Sequence, residues 1–182
     1  MSKYKMLLLV SFFLLSVHVV NAQLRIGVTA GPVLSSLVRD SNLSSREGMV
    51  GYMAGAVVKL NVGELGWFFQ SGVNYSLEGD NDQNLNFVKI PLTIGFDASD
   101  DVNVHVVYNL AWQVGNHNNV QDFYNDFANI LGVGFEIYFS RKFSFGSRLN
   151  YGLSNLVSDP AGAKNFNVKP FTVELYLTYF IF

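Results

Sequence analysis

The chain contains no cysteine, only four prolines and few charged residues, at 14% of the total. Without cysteine it forms no disulfide, and we expect no lipid anchor on an N-terminal cysteine. Beyond Val20, no stretch reaches the roughly 18 consecutive apolar residues of a transmembrane helix, which argues against a helical membrane protein. Apolar burial and backbone pairing alone must therefore stabilise the fold.

The start of the chain has the parts of a removable secretory signal. Two lysines precede an apolar run from Met6 to Val20, and a small-residue cleavage site ends at Ala22. A retained membrane helix is the alternative, but about 15 apolar residues are short for a span. We therefore expect residues 1–22 to be a signal peptide and residues 23–182 to form one domain.

The charge balance gives no sign of a nucleic-acid partner. Without the two lysines of the signal, ten of the twelve basic residues remain against fourteen acidic ones, a net charge of −4. The chain also has no basic cluster that would neutralise phosphates. We therefore expect no nucleic acid among its partners.

Eight segments alternate apolar and polar residues with a period of two, which predicts β-strands. The predicted strands are Leu24 to Val38, Met49 to Asn61, Trp67 to Leu77, Leu85 to Phe96, Val102 to Val114, Asn129 to Ser140, Phe143 to Leu156 and Phe171 to Ile181. The last strand is too apolar to remain a free edge, because unpaired edges beside apolar surface invite aggregation. We expect it to pair with the first strand and close a barrel.

Long and short connections alternate between these segments. The long ones are residues 39–48, 78–84, 115–126 and 157–167, and the short ones are residues 62–66, 97–101 and 141–142. All long connections then lie at one end, as in outer-membrane barrels with long extracellular loops and short periplasmic turns. The sequence therefore predicts an all-β fold: an eight-stranded antiparallel up-and-down transmembrane β-barrel with a polar, plugged interior.

Strand parity separates an apolar face from a polar face. All charged residues inside the predicted strands lie on the polar face: Arg25, Lys59, Lys89, Glu136, Arg148 and Glu174. A lysine or arginine facing lipid near the midplane would cost about 2–4 kcal/mol, so the polar face should line the interior. We predict that these charges form an interior network, a salt-bridged plug, with a gate or binding site as the alternative.

Glycine gives an independent check on this orientation. Ten of the sixteen glycines lie inside predicted strands, all on the polar face: Gly27, Gly31, Gly51, Gly55, Gly72, Gly95, Gly132, Gly134, Gly146 and Gly152. The interior of an eight-stranded barrel has room only for side chains, so these glycines should make space for the long charged ones.

The aromatic residues of the apolar face sort into two heights. Near the turn end we place Trp67, Phe69, Phe96, Phe139, Phe145 and Tyr179, and near the loop end Tyr52, Tyr75, Trp112, Tyr151 and Phe171. Two aromatic girdles are expected at the two interfaces of a membrane.

Several stretches together resemble the porin-like, PorT-like outer-membrane β-barrel domain common in Bacteroidetes. They are the opening RIGVTAGPVLSSL, the second strand GYMAGAVVKL, VKIPLTIGF with Pro91, NYGLSNL at Asn150 to Leu156 and the terminal aromatic strand. The resemblance covers essentially the whole mature chain and implies an eight-stranded outer-membrane barrel. It implies no uniform function, because members of the family serve different roles.

His105 lies on the polar face, and a hydrogen-bonded interior histidine is the preferred interpretation over a proton-transfer group. No nucleophile and carboxylate can be assigned around it. We therefore expect no catalytic residue, no cofactor and no enzyme activity.

Residues 78–84 place oxygen atoms at alternating positions, as a calcium-binding loop does. However, Leu85 and Pro91 stand where that loop needs a glycine and a bidentate glutamate. With two histidines and no cysteine in the mature chain, a transition-metal site is also not expected. We therefore predict a polar loop and no metal site.

The connection before the sixth strand carries aromatic side chains among asparagines and aspartates. Exposed aromatics on a loop are plausible recognition anchors, although folding back on the barrel rim is the alternative. The candidate partner-binding residues are His117, Asp122, Phe123 and Tyr124, and Phe127 belongs to the same stretch.

These observations predict an integral outer-membrane protein, exported by a cleaved signal peptide, that acts through its extracellular loops in structure, attachment or partner binding and is not an open pore. The expected partners are the lipid bilayer, the barrel-assembly machinery through the C-terminal strand, and an envelope or surface protein. One alternative is an accessory barrel of an envelope secretion system. Another is a soluble lipocalin-like ligand-binding barrel, whose apolar face would point inward.

The end of the chain conflicts with this pattern. Strict alternation places Phe180 and Phe182 on the side of Glu174, inside the barrel. A terminal aromatic of an outer-membrane barrel is expected to face outward. Either a bulge near Tyr179 resets the parity, or Phe182 closes the periplasmic mouth from inside.

Overall fold

Eight antiparallel strands follow one another around a closed barrel, and the prediction of an eight-stranded antiparallel barrel is confirmed. The computed structural model describes residues 24–39, 48–62, 66–80, 83–116, 126–156 and 168–181. The strands are β1 (Leu24–Arg39), β2 (Met49–Val62), β3 (Trp67–Asp80), β4 (Gln83–Asp97), β5 (Val102–Asn116), β6 (Phe127–Tyr138), β7 (Phe143–Gly152) and β8 (Val168–Phe180). The described ranges contain no helix long and apolar enough to cross a membrane.

The first and last strands close the barrel, as predicted. Their register pairs Gly27 with Phe180, Thr29 with Thr178 and Val33 with Glu174. Every strand therefore has two neighbours, so the described part of the sheet has no free edge. The connections β2–β3, β4–β5 and β6–β7 lie at one end, called the turn end here, and the opposite end is called the loop end.

The strands alternate between an apolar outer face and a largely polar inner face. Many large outward side chains are exposed, among them Val50 at 69%, Val133 at 54% and Leu177 at 57%. Soluble monomers rarely expose an apolar surface of this extent. Five of the six charges of the predicted strands are buried on the inner face: Lys59, Lys89, Glu136, Arg148 and Glu174. The lipocalin-like alternative needs the apolar face inside and the charges outside, so it is wrong.

Outward aromatic side chains form pairs at two heights, as the predicted girdles require. At the turn end, the ring centroids of Trp67 and Phe96 lie 5.6 Å apart, and those of Phe143 and Tyr179 lie 4.8 Å apart. At the loop end, the ring centroids of Tyr52 on β2 and Tyr75 on β3 lie 6.4 Å apart. Such pairs stabilise neighbouring strands across the sheet.

The connection predicted over residues 78–84 is wrong. Strand β3 continues to Asp80 and β4 begins at Gln83, so only residues 81 and 82 lie between them. Glu78 pairs with Leu85 in the ladder, and the Gly79 N–H donates to the Ser35 hydroxyl at 2.8 Å. Asn, Asp and Gly have low strand propensity, but the ladder and this tie to β1 outweigh it.

Strand β7 is shorter than predicted. It ends at Gly152, after which the Leu153 N–H donates to the Asn129 carbonyl at 2.8 Å. The chain then turns inward, and Leu156 is fully buried, with its N–H donating to the Val168 carbonyl at 2.9 Å. The apolar residue that extended the predicted strand therefore belongs to the barrel interior.

The alternation in β8 continues through Phe180 without a bulge. Tyr179 pairs with Val28 on one side and with Phe143 on the other, and Phe180 is 1% exposed. The proposed bulge near Tyr179 is therefore wrong. Phe182 lies outside the described residues, so its orientation stays a prediction.

We expect Gly146→Ala to destabilise the barrel by about 1–3 kcal/mol, because a Cβ at this position overlaps the ring of Tyr176. The matched control is Ser147→Ala, one position along β7 on the outer face, which should change little. Urea unfolding in detergent micelles, followed by tryptophan fluorescence, measures both. Tyr176→Leu should partly rescue Gly146→Ala, and equal destabilisation by the two alanine variants would contradict the interior contact.

Candidate functional site

The structure places the six predicted interior charges inside the barrel, in two groups. Lys89, Arg148 and Glu174 lie near the middle, and all three are at most 3% exposed. Lys59 and Glu136 lie closer to the turn end and are 1% exposed. Arg25 lies at the turn-end mouth, so the six do not form a single continuous network of ion pairs.

The central group is built on the ammonium of Lys89, which contacts two carboxylates. Its Nζ forms an ion pair with Glu78 and lies 3.3 Å from Glu174 Oε1. The second oxygen of Glu174 lies 3.9 Å from a guanidinium nitrogen of Arg148, its partner in the β7–β8 ladder. Buried charges persist only when they are paired in this way.

Glu78 is the member of this group that the sequence interpretation missed. It was assigned to a polar loop because Gly, Asp and Asn follow it, although it continues the inward parity of Asn74 and Ser76. The signal that pointed to it is this parity together with the excess of interior cations. Its side chain is 2% exposed, and its Oε1 is occupied by Lys89.

His105 connects the central group with the turn-end group. Arg148 Nε donates to His105 Nε2 at 3.2 Å, so the imidazole hydrogen lies on Nδ1, which donates to Asn103 Oδ1 at 3.1 Å. This is a neutral ring with both nitrogens used. The expected hydrogen-bonded interior histidine is confirmed.

The turn-end group joins Glu136 and Lys59 through Tyr138. Glu136 accepts from Ser144 at 2.5 Å and from Asn103 at 3.1 Å. The Tyr138 hydroxyl lies 3.3 Å from the same carboxylate and accepts from Lys59 Nζ at 2.7 Å. Neutral hydrogen-bond donors, more than ion pairs, therefore satisfy this carboxylate.

Three basic side chains inside the barrel form cation–π contacts with interior aromatic rings. Lys59 Nζ lies 3.7 Å from the ring centroid of Phe68, and the guanidinium of Arg148 lies 4.4 Å from that of Tyr176. The guanidinium of Arg25 lies 4.0 Å from the ring of Phe180. Cation–π contacts of this kind are stronger when desolvated.

Two of the inward glycines make space for these rings. A Cβ at Gly95 would overlap Phe68, and one at Gly146 would overlap Tyr176. We expected space for charged side chains, and Gly134, beside Arg148, fits that expectation. The glycines were thus the available sequence signal for interior aromatics.

The two ends of the interior differ. At the loop end, eight buried apolar residues form one cluster: Leu37, Leu85, Phe87, Ala111, Ala128, Ile130, Leu156 and Val168. At the turn end, a cavity of about 700 Å³ opens between the turns and is lined by charged side chains. We call it the turn-end cavity. The described interior is therefore apolar toward the loops and charged toward the turns.

The four predicted partner-binding residues His117, Asp122, Phe123 and Tyr124 lie outside the described residues. Phe127, from the same stretch, begins β6, and its ring centroid lies 5.2 Å from that of Trp112 in the loop-end girdle. Among the described residues, no group of three His, Asp or Glu side chains is placed to hold a metal ion.

We expect Lys89→Met to lower the free energy of unfolding by about 3–5 kcal/mol, because it leaves Glu78 and Glu174 buried without their shared cation. The control is Lys169→Met near the loop end of β8, whose ammonium lies 5.6 Å from the Tyr151 ring centroid and has no carboxylate partner among the described residues. Urea unfolding in micelles measures both. Adding Glu78→Gln to Lys89→Met should recover part of the loss, and equal stabilities of Lys89→Met and Lys169→Met would contradict the pairing.

No protein-family model and no curated protein matches the chain. Among solved structures, Ail, the attachment invasion locus protein of Yersinia pestis, is similar with a TM-score of 0.55 and 11% identity over 87% of this chain and 99% of Ail. Ail in complex with the heparin analogue sucrose octasulfate gives 0.50 and 13% over the same shares. Neisserial surface protein A gives 0.51 and 14% over 85% of this chain and 96% of its own.

Both similar proteins are eight-stranded outer-membrane barrels. At such low identities the similarity shows the fold alone. The resemblance to the PorT-like family therefore stays a prediction, and the chain has the eight-stranded barrel fold that these outer-membrane proteins share.

Proposed function

We propose that this protein is an integral outer-membrane barrel that acts through its extracellular loops, as a structural, attachment or partner-binding surface protein. The observation that carries the proposal is the inverted polarity of the barrel, apolar outside and charged inside. Lipid is the surrounding that such an outer face requires, and the aromatic pairs at two heights match the two interfaces of a bilayer.

The route to the membrane is part of the same proposal. Residues 1–22 would direct export as a cleaved signal peptide, and the barrel-assembly machinery would receive the C-terminal strand β8. In support, β8 alternates without interruption and presents Phe171, Leu177 and Tyr179 on the outer face. The turn end would then face the periplasm and the loop end the exterior.

The filled interior supports a role other than that of an open pore. The ion pairs of Lys89 occupy the middle, and an apolar cluster around Phe87 and Leu156 fills the interior toward the loop end. An eight-stranded barrel has an interior just wide enough for side chains. Recognition is therefore left to the segments that connect the strands.

The net negative charge of the outer connections restricts the kind of partner that they can bind. Residues 40–48, 81–82, 117–126 and 153–167 contain six acidic residues and two basic ones. One similar protein was solved with a heparin analogue, but a polyanion would be repelled by this net negative charge. We therefore propose a neutral or basic surface partner for this chain.

A second candidate function is an accessory barrel of an envelope secretion system. The observation that favours it is the turn-end cavity, because its charged rim would face periplasmic components. In that case partners would meet the turns and not the outer loops.

Site-specific photo-crosslinking in intact cells separates the two candidates. A photoreactive residue at Tyr124 in the third outer connection should give adducts that external protease removes, whereas one at Ala98, an exposed turn residue, should give none. Leu177, on the outer face of β8, is the control and should crosslink only to lipid. Protein adducts at Ala98 alone would contradict the proposal and favour the accessory barrel.

A further inference from the structure

The turn-end cavity contains charges of both signs, placed on different walls. Three basic residues line it, Arg25, Lys59 and Arg141, together with three acidic ones, Asp97, Asp100 and Asp101. The acidic residues come from the end of β4 and the β4–β5 turn, whereas the basic ones come from β1, β2 and the β6–β7 turn. A cavity of about 700 Å³ is within the usual range of ligand sites.

Half of these charges are already used within the protein. Lys59 Nζ lies 3.6 Å from Asp97, and the guanidinium of Arg25 stacks on Phe180 and donates to the Arg141 carbonyl. In contrast, the side chains of Asp100, Asp101 and Arg141 are exposed and have no ion-pair partner in the described part of the chain. These three are available to a bound molecule.

Backbone hydrogen bonds fix the two turns that carry the available charges. The Tyr138 N–H donates to the Asp101 carbonyl at 2.7 Å, which ties β6 to the acidic turn. In the basic turn, the Ser140 hydroxyl accepts from the Lys142 and Phe143 N–H groups, both at 3.2 Å. The backbone of both turns is therefore fixed, so binding has to order only their charged side chains.

A ligand of a single charge sign fits this cavity poorly. An anion drawn to Arg141 would meet the carboxylates of Asp100 and Asp101 as well, and a simple cation would meet Arg141 and Arg25. A short peptide carries charges of both signs at separate ends, and a cavity of about 700 Å³ is large enough to hold it.

We propose that the turn-end cavity binds a short zwitterionic peptide. Its carboxylate lies against Arg141, and its ammonium lies against Asp100 and Asp101. This site lies at the opposite end of the barrel from the outer connections, so it is independent of what the loops bind.

The test is calorimetric titration of the full chain in micelles with tetra-alanine. We expect free tetra-alanine to bind, and N-acetylation or C-terminal amidation each to weaken binding at least ten-fold. In the double variant Asp100→Asn with Asp101→Asn, N-acetylation should cost no further affinity. In the Arg141→Gln variant, C-terminal amidation should cost no further affinity. Lys169→Gln, at the loop end, is the control and should bind as the unmodified protein does.

Three results would overturn the proposal. They are no binding of tetra-alanine at millimolar concentration, equal binding of the free and the doubly capped peptide, and binding of inorganic phosphate or acetate as tightly as the peptide. Retention of the folded, fast-migrating band in unboiled gels shows that each variant has kept its barrel. Loss of affinity in the control variant would also count against the site, because Lys169 is remote from it.

Discussion

The ammonium of Lys89, enclosed between Glu78 and Glu174, is the constraint on which the register of the barrel depends. These three residues come from β3, β4 and β8, so a one-residue slip of any of these strands would turn a charge toward the outer face. In lipid that slip would cost about 2–4 kcal/mol for the lysine, and it would also leave the opposing carboxylates buried and unpaired. The outer apolar face and the inner charges therefore specify the same register.

The two ends of the interior differ in polarity. Polar side chains of several strands meet in the middle and toward the turns, where hydrogen bonds lead from Arg148 through His105 and Asn103 to Glu136. Toward the loops the inner face becomes apolar, and Leu85 and Phe87 pack against Leu156. The described interior is thus packed with apolar side chains at the loop end, whereas at the turn end it meets a cavity lined by charged residues.

Period-two alternation was sufficient to predict the strands and to place the six charges on one common face, because parity is a local property of each strand. The choice of that face as the interior also needed the glycine positions, the aromatic placement and the alternating loop lengths, and closure was predicted from the apolar last strand. It was insufficient where composition and ladder pairing disagree, as at Glu78, which is paired although Gly, Asp and Asn follow it. Two interior aromatics, Phe68 and Tyr176, were missed for a different reason. Their parity already places them inside, but aromatic residues are expected at the membrane interfaces. The sequence signal for rings in the interior was the presence of Gly95 and Gly146 on the same inner face. The loop residues Phe123 and Tyr124 lie outside the alternating segments, so there is no parity from which to predict where their side chains lie.

The central claim is that lipid surrounds the apolar face while paired charges fill the interior. The most direct measurement is fractionation of expressing cells, followed by electrophoresis with and without boiling. A closed barrel resists detergent at room temperature because every strand is paired, so the account predicts recovery in the outer-membrane fraction and a faster-migrating band in the unboiled sample. Recovery in the soluble fraction, with the same mobility before and after boiling, would contradict it.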